Sequence, residues 1–406
     1  MQPAAQTAAT IARRSYGRLV AFLAARTGDV AGAEDALADA FATALAEWPT
    51  AGVPRNPEAW LMAVARRRQI DAARRRRTRY QTLGHVRLLA EEMGEPMDDT
   101  RFPDDRLALM FACAHPAIDP AIRAPLMLQT ILGFDAVVIA SAFLVAPATM
   151  GQRLVRAKTK IRQAGIPLRV PEREEMPERL DAVLAAIYAA FAGGWLDASR
   201  RAIADEALWL GRLVASLLPN EPEALGLLAL MLHVEARHDA RRDAQGSYVP
   251  LTEQDLACWD ESMIEEAEAV LARAGAMGVI GRYQLEAAVQ SAHAARRASG
   301  RTDWTAIEQL YAALSAIADT PVVAVNHAIA IAETRGPGPG LARLDELASD
   351  ARLAEYQPYW AARAELLARS GRSAEAQGAY DRAIELEPDP ALRKFLQARR
   401  QSLAMR

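Results

Sequence analysis

The chain has 406 residues, enough for two to four domains, and its wealth of Ala, Leu and Arg with few β-branched runs predicts an all-α protein. No run of 18 apolar residues is free of charge, and no basic segment followed by an apolar core opens the chain, so neither a membrane partner nor a secretory signal is expected. The net charge of −3 hides an asymmetry, because residues 1–80 hold 13 Lys or Arg against 7 Asp or Glu, whereas residues 171–406 hold 25 against 35. A basic N-terminal part and an acidic C-terminal part indicate that only the N-terminal part contacts nucleic acid.

Two helices are predicted in the first 48 residues. The first covers residues 8–26 and is broken by Gly28-Asp29. The second covers residues 31–48 and is amphipathic, with apolar residues every four positions on one face and acids elsewhere. The apolar face contains Leu37, Phe41 and Leu45, and the acids are Glu34, Asp35 and Asp39.

A third helix carries a dense run of positive charge. A loop with three prolines and a glycine covers residues 49–57, and residues 59–79 then place apolar side chains, among them Trp60, at helical spacing in their front half. Eight arginines follow from Arg66 onward, with a single acid among them. This end is either a solvated arginine face or a nucleic-acid contact. Together the helices predict a bundle of three to four helices over residues 8–80.

A helix-turn-helix pattern follows an acidic segment. Residues 81–104 combine acids, glycine and prolines with little apolar periodicity, which predicts a flexible linker. Residues 105–166 return to helical patterns: Asp135 can cap one helix, a three-residue turn follows, and Pro147 suits the first turn of the next, which ends near Ala164. Such a pair is typical of domains whose second helix enters the major groove, although any helical hairpin with a solvated second helix has the same outline.

The second helix of this pair has two distinct faces. Its apolar stripe contains Met150, Leu154, Ala157 and Ile161. The opposite stripe is polar and basic, and it contains Thr149, Gln152, Arg153, Arg156 and Lys160. From residue 148 to residue 170 there are six basic residues and no acids, which favours DNA as the partner of this face.

Helical hairpins fill the chain from residue 178 onward. The best match to a tetratricopeptide repeat (TPR) covers residues 357–390. Its matching positions are Trp360, Gly371, Ala376, Tyr380, Ala383 and Pro388. Residues 321–347, with a Gly-Pro-Gly-Pro-Gly turn, and residues 207–236 are weaker candidates. Stacking buries faces that one hairpin cannot cover alone, so residues 178–406 are predicted to form a TPR-like helical-repeat domain.

Catalytic, metal and cofactor motifs are not found in the sequence. The six histidines are scattered, and His233 and His238 are five positions apart, which does not place them on one helix face. There is no phosphate-binding glycine loop, and Gly193-Gly194 reads better as a helix end. Two widely separated cysteines favour a reduced, cytoplasmic protein. We therefore expect no enzyme activity, no metal and no cofactor.

The order of these features resembles a known family. AEDALADAFATALAEW and NPEAWLMAVARRRQIDAARRR precede an acidic linker and a helix-turn-helix that contains TMGQRLVRAKTKIR. This order is similar to that of the extracytoplasmic-function (ECF) sigma factors of bacterial RNA polymerase, over residues 10–165. The remaining chain resembles the long extension of one subgroup, which ends in tetratricopeptide repeats. The resemblance implies sigma region 2 over residues 8–80 and sigma region 4 over residues 105–166.

The resemblance also implies two protein contacts and a role for the linker. The second helix would grip the clamp-helix coiled coil of the largest polymerase subunit, and the β flap is a further implied contact on core polymerase. The implied clamp contacts are Glu34, Asp35, Asp39 and Phe41, whose acids suit a basic partner. The acidic linker would thread toward the active site and the RNA exit channel, where its charge mimics nucleic acid.

Promoter DNA is the other implied partner. The proline-rich loop would hold a flipped base of the −10 element, with Asn56 and Trp60 beside it, although core packing explains the spacing of Trp60 equally well. The implied phosphate contacts are Arg66, Arg67, Arg68, Arg74 and Arg75. The implied −35 contacts are Thr149, Gln152, Arg153, Arg156 and Lys160, with Gln152, Arg153 and Arg156 reading base edges. Gly151 departs from the family, which often has a polar residue there, so one DNA contact is expected to be missing.

Two questions stay open at the level of the sequence. The chain is expected to be a promoter-specificity subunit of RNA polymerase, and the alternative is a stand-alone helix-turn-helix regulator whose repeats sense a ligand or peptide. The acidic extension would either mask the basic half through an intramolecular contact or recruit a protein needed for activity.

Overall fold

Helices are the main secondary structure of the part of the chain that the structure describes. The computed structural model describes residues 3–79, 105–143, 145–172, 174–196, 201–318 and 320–403. The all-α prediction is confirmed there, since the single β interaction in these ranges is an isolated bridge between Arg242 and Tyr248. The predicted linker, residues 81–104, lies outside the described residues, as do the side chains of Arg74 and Arg75. Two compact units form, residues 1–210 and 211–406.

Three long helices open the first unit. They are α1 (Pro3–Thr27), α2 (Val30–Ala51) and α3 (Pro57–Arg79). Both α1 and α3 pack against α2, so the predicted bundle is present as three helices.

The start of α2 follows the predicted break at Gly28-Asp29, whereas its end lies further along the chain than predicted. Gly28, at a φ of 64°, turns the chain after α1, and Asp29 then caps α2 by accepting a hydrogen bond from the amide of Gly32 at 3.0 Å. At the other end Pro49 lies inside the helix, whose last turn is closed by the amide of Gly52 on the carbonyl of Trp48 at 3.0 Å. The proline-rich loop is therefore shorter than predicted. The helix can include Pro49, because a proline near the end of a helix removes only one backbone hydrogen bond.

The buried face of α2 is not the one predicted from the spacing of four. Leu37 is fully buried and Phe41 half-buried, but Leu45 is 51% exposed. A step of four residues turns about 40° further than a full helical turn, so the three side chains drift around the helix. The buried residues are Val30, Ala33, Ala36, Leu37, Ala40, Ala44 and Trp48.

Four helices form the helix-turn-helix domain. They are α4 (Arg106–Cys113), α5 (Pro120–Leu132), α6 (Ala136–Ala142) and α7 (Pro147–Gln163). Asp135 caps α6 as predicted, since its carboxylate accepts a hydrogen bond from the amide of Val137 at 2.8 Å. Pro147 occupies the first turn of α7, where its missing amide hydrogen is not needed.

Two further helices follow α7 in the described residues. They are α8 (Met176–Leu196) and α9 (Arg201–Leu217). α8 packs on α4 and α5, and the guanidinium of Arg179 donates to the carbonyl of Phe111 at 2.9 Å. Gly193-Gly194 lies inside α8, so the predicted helix end is wrong; the helix continues to Leu196.

The bundle and the helix-turn-helix domain pack directly against each other. α1 lies on α4 and α5, and α2 lies on α7. A Cβ built on Gly17 of α1 would lie 2.1 Å from the carbonyl oxygen of Ile131 on α5, so this approach requires a residue without a side chain. Beside it, the ring of Tyr16 would meet a Cβ on Gly133 at 3.1 Å.

The described residues of the second unit contain ten further α-helices. They are α10 (Pro222–Glu235), α11 (Glu261–Gly275), α12 (Arg282–Ala294), α13 (Arg296–Ser299), α14 (Trp304–Ile317), α15 (Pro321–Arg335), α16 (Pro337–Glu346), α17 (Gln357–Arg369), α18 (Ser373–Leu386) and α19 (Pro390–Leu403). Neighbours in sequence pack as hairpins, and α10 also packs broadly on α12.

Two of the three sequence segments that suggested repeats, residues 321–347 and 357–390, each contain a pair of packed helices. α17 and α18 meet at Gly371, whose φ is 76°, and Tyr380 is buried between them and α19 in a shared apolar cluster. In the neighbouring hairpin the turn between α15 and α16 is only Gly336, because Pro337 already opens α16. Gly340 lies inside that helix, where a Cβ would meet the Cβ of Ala332 at 2.5 Å. The expected Gly-Pro-Gly-Pro-Gly turn is thus mostly helix.

A long connection joins the front of this unit to its last helix. Residues 242–253, which we call the strap, lie between α10 and α11. Arg242 pairs with Asp389 at 2.7 Å, and the rings of Tyr248 and Phe395 are 5.4 Å apart. Glu253 pairs with Arg399 at 3.0 Å.

Candidate nucleic-acid interface

The outer face of α7 presents the side chains that the sequence singled out. All five are exposed: Thr149, Gln152, Arg153, Arg156 and Lys160. The opposite stripe anchors the helix in the domain, since Met150, Leu154, Ala157 and Ile161 are buried. Arginine forks and a glutamine amide are suited to the edges of guanine and adenine in the major groove. Val155 is 63% exposed on the same helix and adds an apolar group of the kind that contacts a thymine methyl. The polar pattern of the helix did not single it out, because its side chain is aliphatic.

Gly151 lies near the start of this helix with nothing around it. A Cβ built there would meet no atom within 4 Å. The glycine is therefore not required by packing, and any side chain placed here would extend from the same helix toward solvent.

The arginine helix, α3, divides into packed and exposed arginines. The guanidinium of Arg66 lies 5.1 Å from the centre of the Phe22 ring, and that of Arg26 lies 3.6 Å from the same ring. Burial, with the charge of Arg26, lowers the pKa of Arg66 below its ordinary value. Arg67 and Arg68 are exposed, and Arg68 is 3.8 Å from Asp39. Arg66 thus packs within the bundle, whereas Arg67 and Arg68 are available to phosphates.

The short loop before α3 ends in a residue that caps the start of that helix. Asn56 is exposed and accepts a hydrogen bond from the amide of Ala59 at 3.1 Å, and Pro57 follows it at the first helical position. Trp60 is half-buried and meets the buried Trp48 edge to face, with ring centres 5.4 Å apart. The capping role of Asn56 and the packing of Trp60 exist whether or not either side chain also contacts DNA.

The predicted polymerase contacts on α2 fall into two environments. Asp35 and Asp39 are exposed, and Phe41 is half-buried next to them along the helix. Leu45, one turn further, is exposed and extends this apolar edge. Glu34 differs, because it lies under the helix-turn-helix domain.

Glu34 forms an ion pair that the sequence did not suggest. Its carboxylate contacts the ammonium of Lys158 on α7, and both side chains are nearly buried. Burial raises the pKa of Glu34 above its ordinary value, although the lysine charge opposes that rise. Next to this pair, Arg162 lies 3.3 Å from Asp29, the cap of α2. The sequence showed that Lys158 lies on α7 between the apolar and the basic stripe, but it did not indicate Glu34 as its partner.

Sites for other chemistry are not evident in the described ranges. There, no group of three or more His, Cys, Asp or Glu side chains could hold a metal ion. His233 is buried, and its imidazole lies 3.4 Å from a carboxylate oxygen of Glu268. None of the helices that the structure describes combines the length and the apolar composition that a bilayer crossing requires.

Comparison with known proteins matches two families to separate segments of the chain. The family described as sigma-70 region 2 matches residues 11–79, which are the three-helix bundle. A family of unknown function (DUF6596) matches residues 179–275, which begin within α8. An uncharacterized protein of Rhizobium meliloti (strain 1021) is 37% identical over 383 residues, covering 92% of this chain and 90% of that protein. No solved structure matches the chain.

Proposed function

We propose that the chain is an ECF-type promoter-specificity subunit of RNA polymerase with a fused regulatory domain, because residues 11–79 match sigma-70 region 2, which contacts core RNA polymerase and promoter DNA. The observation that carries the proposal is the pairing of two separate basic surfaces, the exposed arginines of α3 and the outer face of α7, in one chain. A regulator that acts without polymerase needs only the second. A promoter-specificity subunit needs both, one for each promoter element.

In this proposal the outer face of α7 reads the −35 element. Gln152, Arg153 and Arg156 donate to base edges, and Thr149 and Lys160 contact the backbone. The buried stripe of the same helix holds that face rigidly, so base reading does not require the helix to reorganise.

The bundle acts at the −10 element and on core polymerase. Arg67 and Arg68 hold phosphates, which contributes affinity and a steep salt dependence rather than sequence choice. Arg74 and Arg75 extend that run. Asn56 and Trp60 border the loop where a base would be flipped, a step that costs a few kcal/mol and needs a pocket to offset it. Asp35, Asp39 and Phe41 form the edge of α2 offered to the polymerase clamp helices, whereas Glu34 is covered by its contact with Lys158.

Reconstituted transcription tests the proposal. The full chain is combined with core polymerase on a promoter library, and the transcripts are sequenced. We expect defined start sites that appear only when both are present, and capture of core polymerase by the tagged chain. Tight binding of duplex DNA by the chain alone, without any capture of core polymerase, would instead identify a stand-alone helix-turn-helix regulator.

The extension is proposed to regulate this activity, with its TPR-like hairpins as the surface for a protein or intramolecular contact. Truncation distinguishes masking from recruitment: transcription rises if the extension masks and falls if it recruits. The cut belongs after Leu218 rather than after Ile166, because α8 supports the helix-turn-helix domain through Arg179 and Phe111. A cut at Ile166 would expose the buried surface of α4 and α5 and would lower activity under either mechanism.

A further inference from the structure

A cluster of buried positive charge lies in the second unit, where α10 and α12 end and α13 begins. Arg237, just after α10, and Arg296, at the start of α13, are each only 8% exposed. Their guanidinium carbons lie 5.6 Å and 5.2 Å from the centre of the Trp259 ring. Burial, with the positive charges of Arg241 and Arg296, lowers the pKa of Arg237 to about 10. The cluster therefore concentrates positive charge in a place that is poorly hydrated.

In the part of the chain that the structure describes, neither buried arginine has a carboxylate partner. Arg237 donates to the carbonyl of His233 at 3.3 Å and to Oε1 of Gln290 at 2.6 Å. Arg296 donates to the carbonyl of Gln254 at 3.0 Å. All three acceptors are neutral. Since a buried charge in a protein is normally paired with an opposite charge, these two guanidinium groups lack the compensation that their burial requires.

Several hydrogen-bond donors of the cluster are also unused among the described residues. The indole Nε1 of Trp259 is buried without a partner, although a buried N–H group nearly always has one. Nη1 of Arg237 donates to no protein group there, and Arg296 uses only Nη2. Both arginines keep a small exposed fraction, so the cluster is not sealed from solvent. The missing charge and the unused donors indicate the same absent group, an anion.

We propose that this cluster is an anion-binding site that takes a phosphate group, either free or carried by a small molecule. A phosphate group has a charge of about −1.5 to −2 at pH 7, which balances two guanidinium groups, whereas a carboxylate balances only one. Its oxygens accept several hydrogen bonds at once and match the planar fork of arginine. Arg237 and Arg296 bind the phosphate oxygens, and Nε1 of Trp259 donates a further hydrogen bond.

The three donor residues come from segments that are separate in sequence. Arg237 follows α10, Trp259 precedes α11, and Arg296 opens α13. An anion that all three hold links these segments, and a ligand that binds only the folded chain stabilises it. This inference goes beyond the proposed function and does not depend on it, because neither polymerase nor promoter DNA takes part in the binding.

Titration of the full-length chain with inorganic phosphate tests the site. Isothermal titration calorimetry is carried out in buffer free of phosphate and sulfate, with sodium chloride added to keep the ionic strength constant. We expect one saturable site per chain. Free phosphate at a hundred times its dissociation constant should raise the unfolding temperature of the second unit by about 5–10 °C.

Two further ligands identify the chemistry of the anion. Acetate should bind at least tenfold more weakly than phosphate, because its single charge leaves one guanidinium group without compensation. Equal or tighter binding of acetate would overturn the choice of phosphate. Glycerol phosphate distinguishes the two sources of the group: tighter binding than that of inorganic phosphate supports a phosphorylated small molecule, and weaker binding supports free phosphate.

Neutral substitutions of the two arginines separate a binding site from a purely structural cluster. Arg237→Gln and Arg296→Gln should each weaken phosphate binding at least tenfold. In phosphate-free buffer each should keep or raise the unfolding temperature, because an unpaired buried charge destabilises the folded chain. Arg297→Gln is the matched control: Arg297 is adjacent in sequence and pairs with Glu261 at 2.9 Å, so its replacement should leave phosphate binding unchanged.

A third variant tests the indole donor without removing either charge. Trp259→Phe keeps an aromatic ring beside both guanidinium groups but lacks the N–H, and it should weaken phosphate binding about fivefold. The proposal is overturned if the native chain shows no saturable phosphate binding, or if the two arginine variants fold, as circular dichroism shows, and bind phosphate as the native chain does. Should an arginine variant fail to fold, Trp259→Phe decides, since unchanged phosphate affinity in that variant also overturns the site.

Discussion

Gly151 is a helical residue that neither packing nor backbone conformation requires, since a Cβ built there would meet no neighbouring atom within 4 Å. Gly151→Ala should therefore stabilise the first unit by about 1 kcal/mol, the usual gain of alanine over glycine inside a helix. Gly151→Lys should in addition strengthen −35 binding and steepen its salt dependence by about one counterion. Urea denaturation and DNA titrations at several salt concentrations measure the two effects. Gly340→Ala is the matched control, and it should destabilise because its Cβ meets Ala332.

Arg66 and Arg67 are adjacent in sequence but differ in surroundings. Arg66 lies over the Phe22 ring, whereas Arg67 is exposed. Arg66→Ala should cost the bundle about 0.5–1 kcal/mol in unfolding free energy through the lost cation–π contact, in addition to any loss of DNA affinity. Arg67→Ala should lower DNA affinity without changing stability. Equal stability losses in denaturation of the two variants would contradict this division.

His293 predicts a loss of stability of the second unit in mild acid. Burial, together with the charges of Arg237 and Arg296, lowers its pKa to about 3. The unfolded imidazole titrates near pH 6.5, so the folded state contributes its full stability above that pH and loses it progressively as the pH falls toward 3. At pH 5 the loss is about 2 kcal/mol for this residue. His233, whose pKa is lowered to about 4, acts in the same direction.

Replacing His293 measures how much its imidazole contributes to the loss of stability in mild acid. His293→Gln should lose less stability than the native chain between pH 7.5 and pH 5, as followed by urea denaturation. Parallel losses in both proteins would show that His293 does not carry the acid sensitivity.

At the scale of the element, α2 has one side that packs in the bundle and another that is exposed. Leu37 is fully buried, whereas Leu45, two turns on, is 51% exposed. Leu37→Ala should destabilise by about 2–5 kcal/mol through the cavity that it leaves. Leu45→Ala should change stability by less than about 0.5 kcal/mol. If α2 meets core polymerase through this edge, the same change should weaken binding at least fivefold, which corresponds to about 1 kcal/mol. Affinity measured by biolayer interferometry checks it, and unchanged affinity would place the contact elsewhere.

Element limits were predictable where a local signal determines them. Asp135 caps α6 and Pro147 opens α7 as expected, because capping and proline chemistry act within one turn. The sequence was less informative where tertiary contacts decide. α8 continues through Gly193-Gly194, and α16 begins within the expected glycine–proline turn, since packing partners offset weak intrinsic helix propensity.

At the scale of the whole molecule, the sequence predicted the all-α class and the candidate DNA surface but not how the domains meet. The exposed stripe of α7 followed from helical periodicity alone. The pairing of Glu34 with Lys158 joins residues 124 positions apart, and no local pattern encodes such a contact. The same holds for Gly17, whose need for a missing side chain depends on the distant Ile131.

The strap contacts a part of the second unit that is synthesised much later than the strap itself. Arg242 and Asp389, which it joins, are separated by 147 residues. At a synthesis rate of about 5–20 residues per second, about 7–30 seconds pass between their emergence from the ribosome. During that interval the bundle and the helix-turn-helix domain are already complete, while the strap has no last helix to hold. A newly made chain therefore acquires the half proposed to bind polymerase and DNA before the domain proposed to control it is closed.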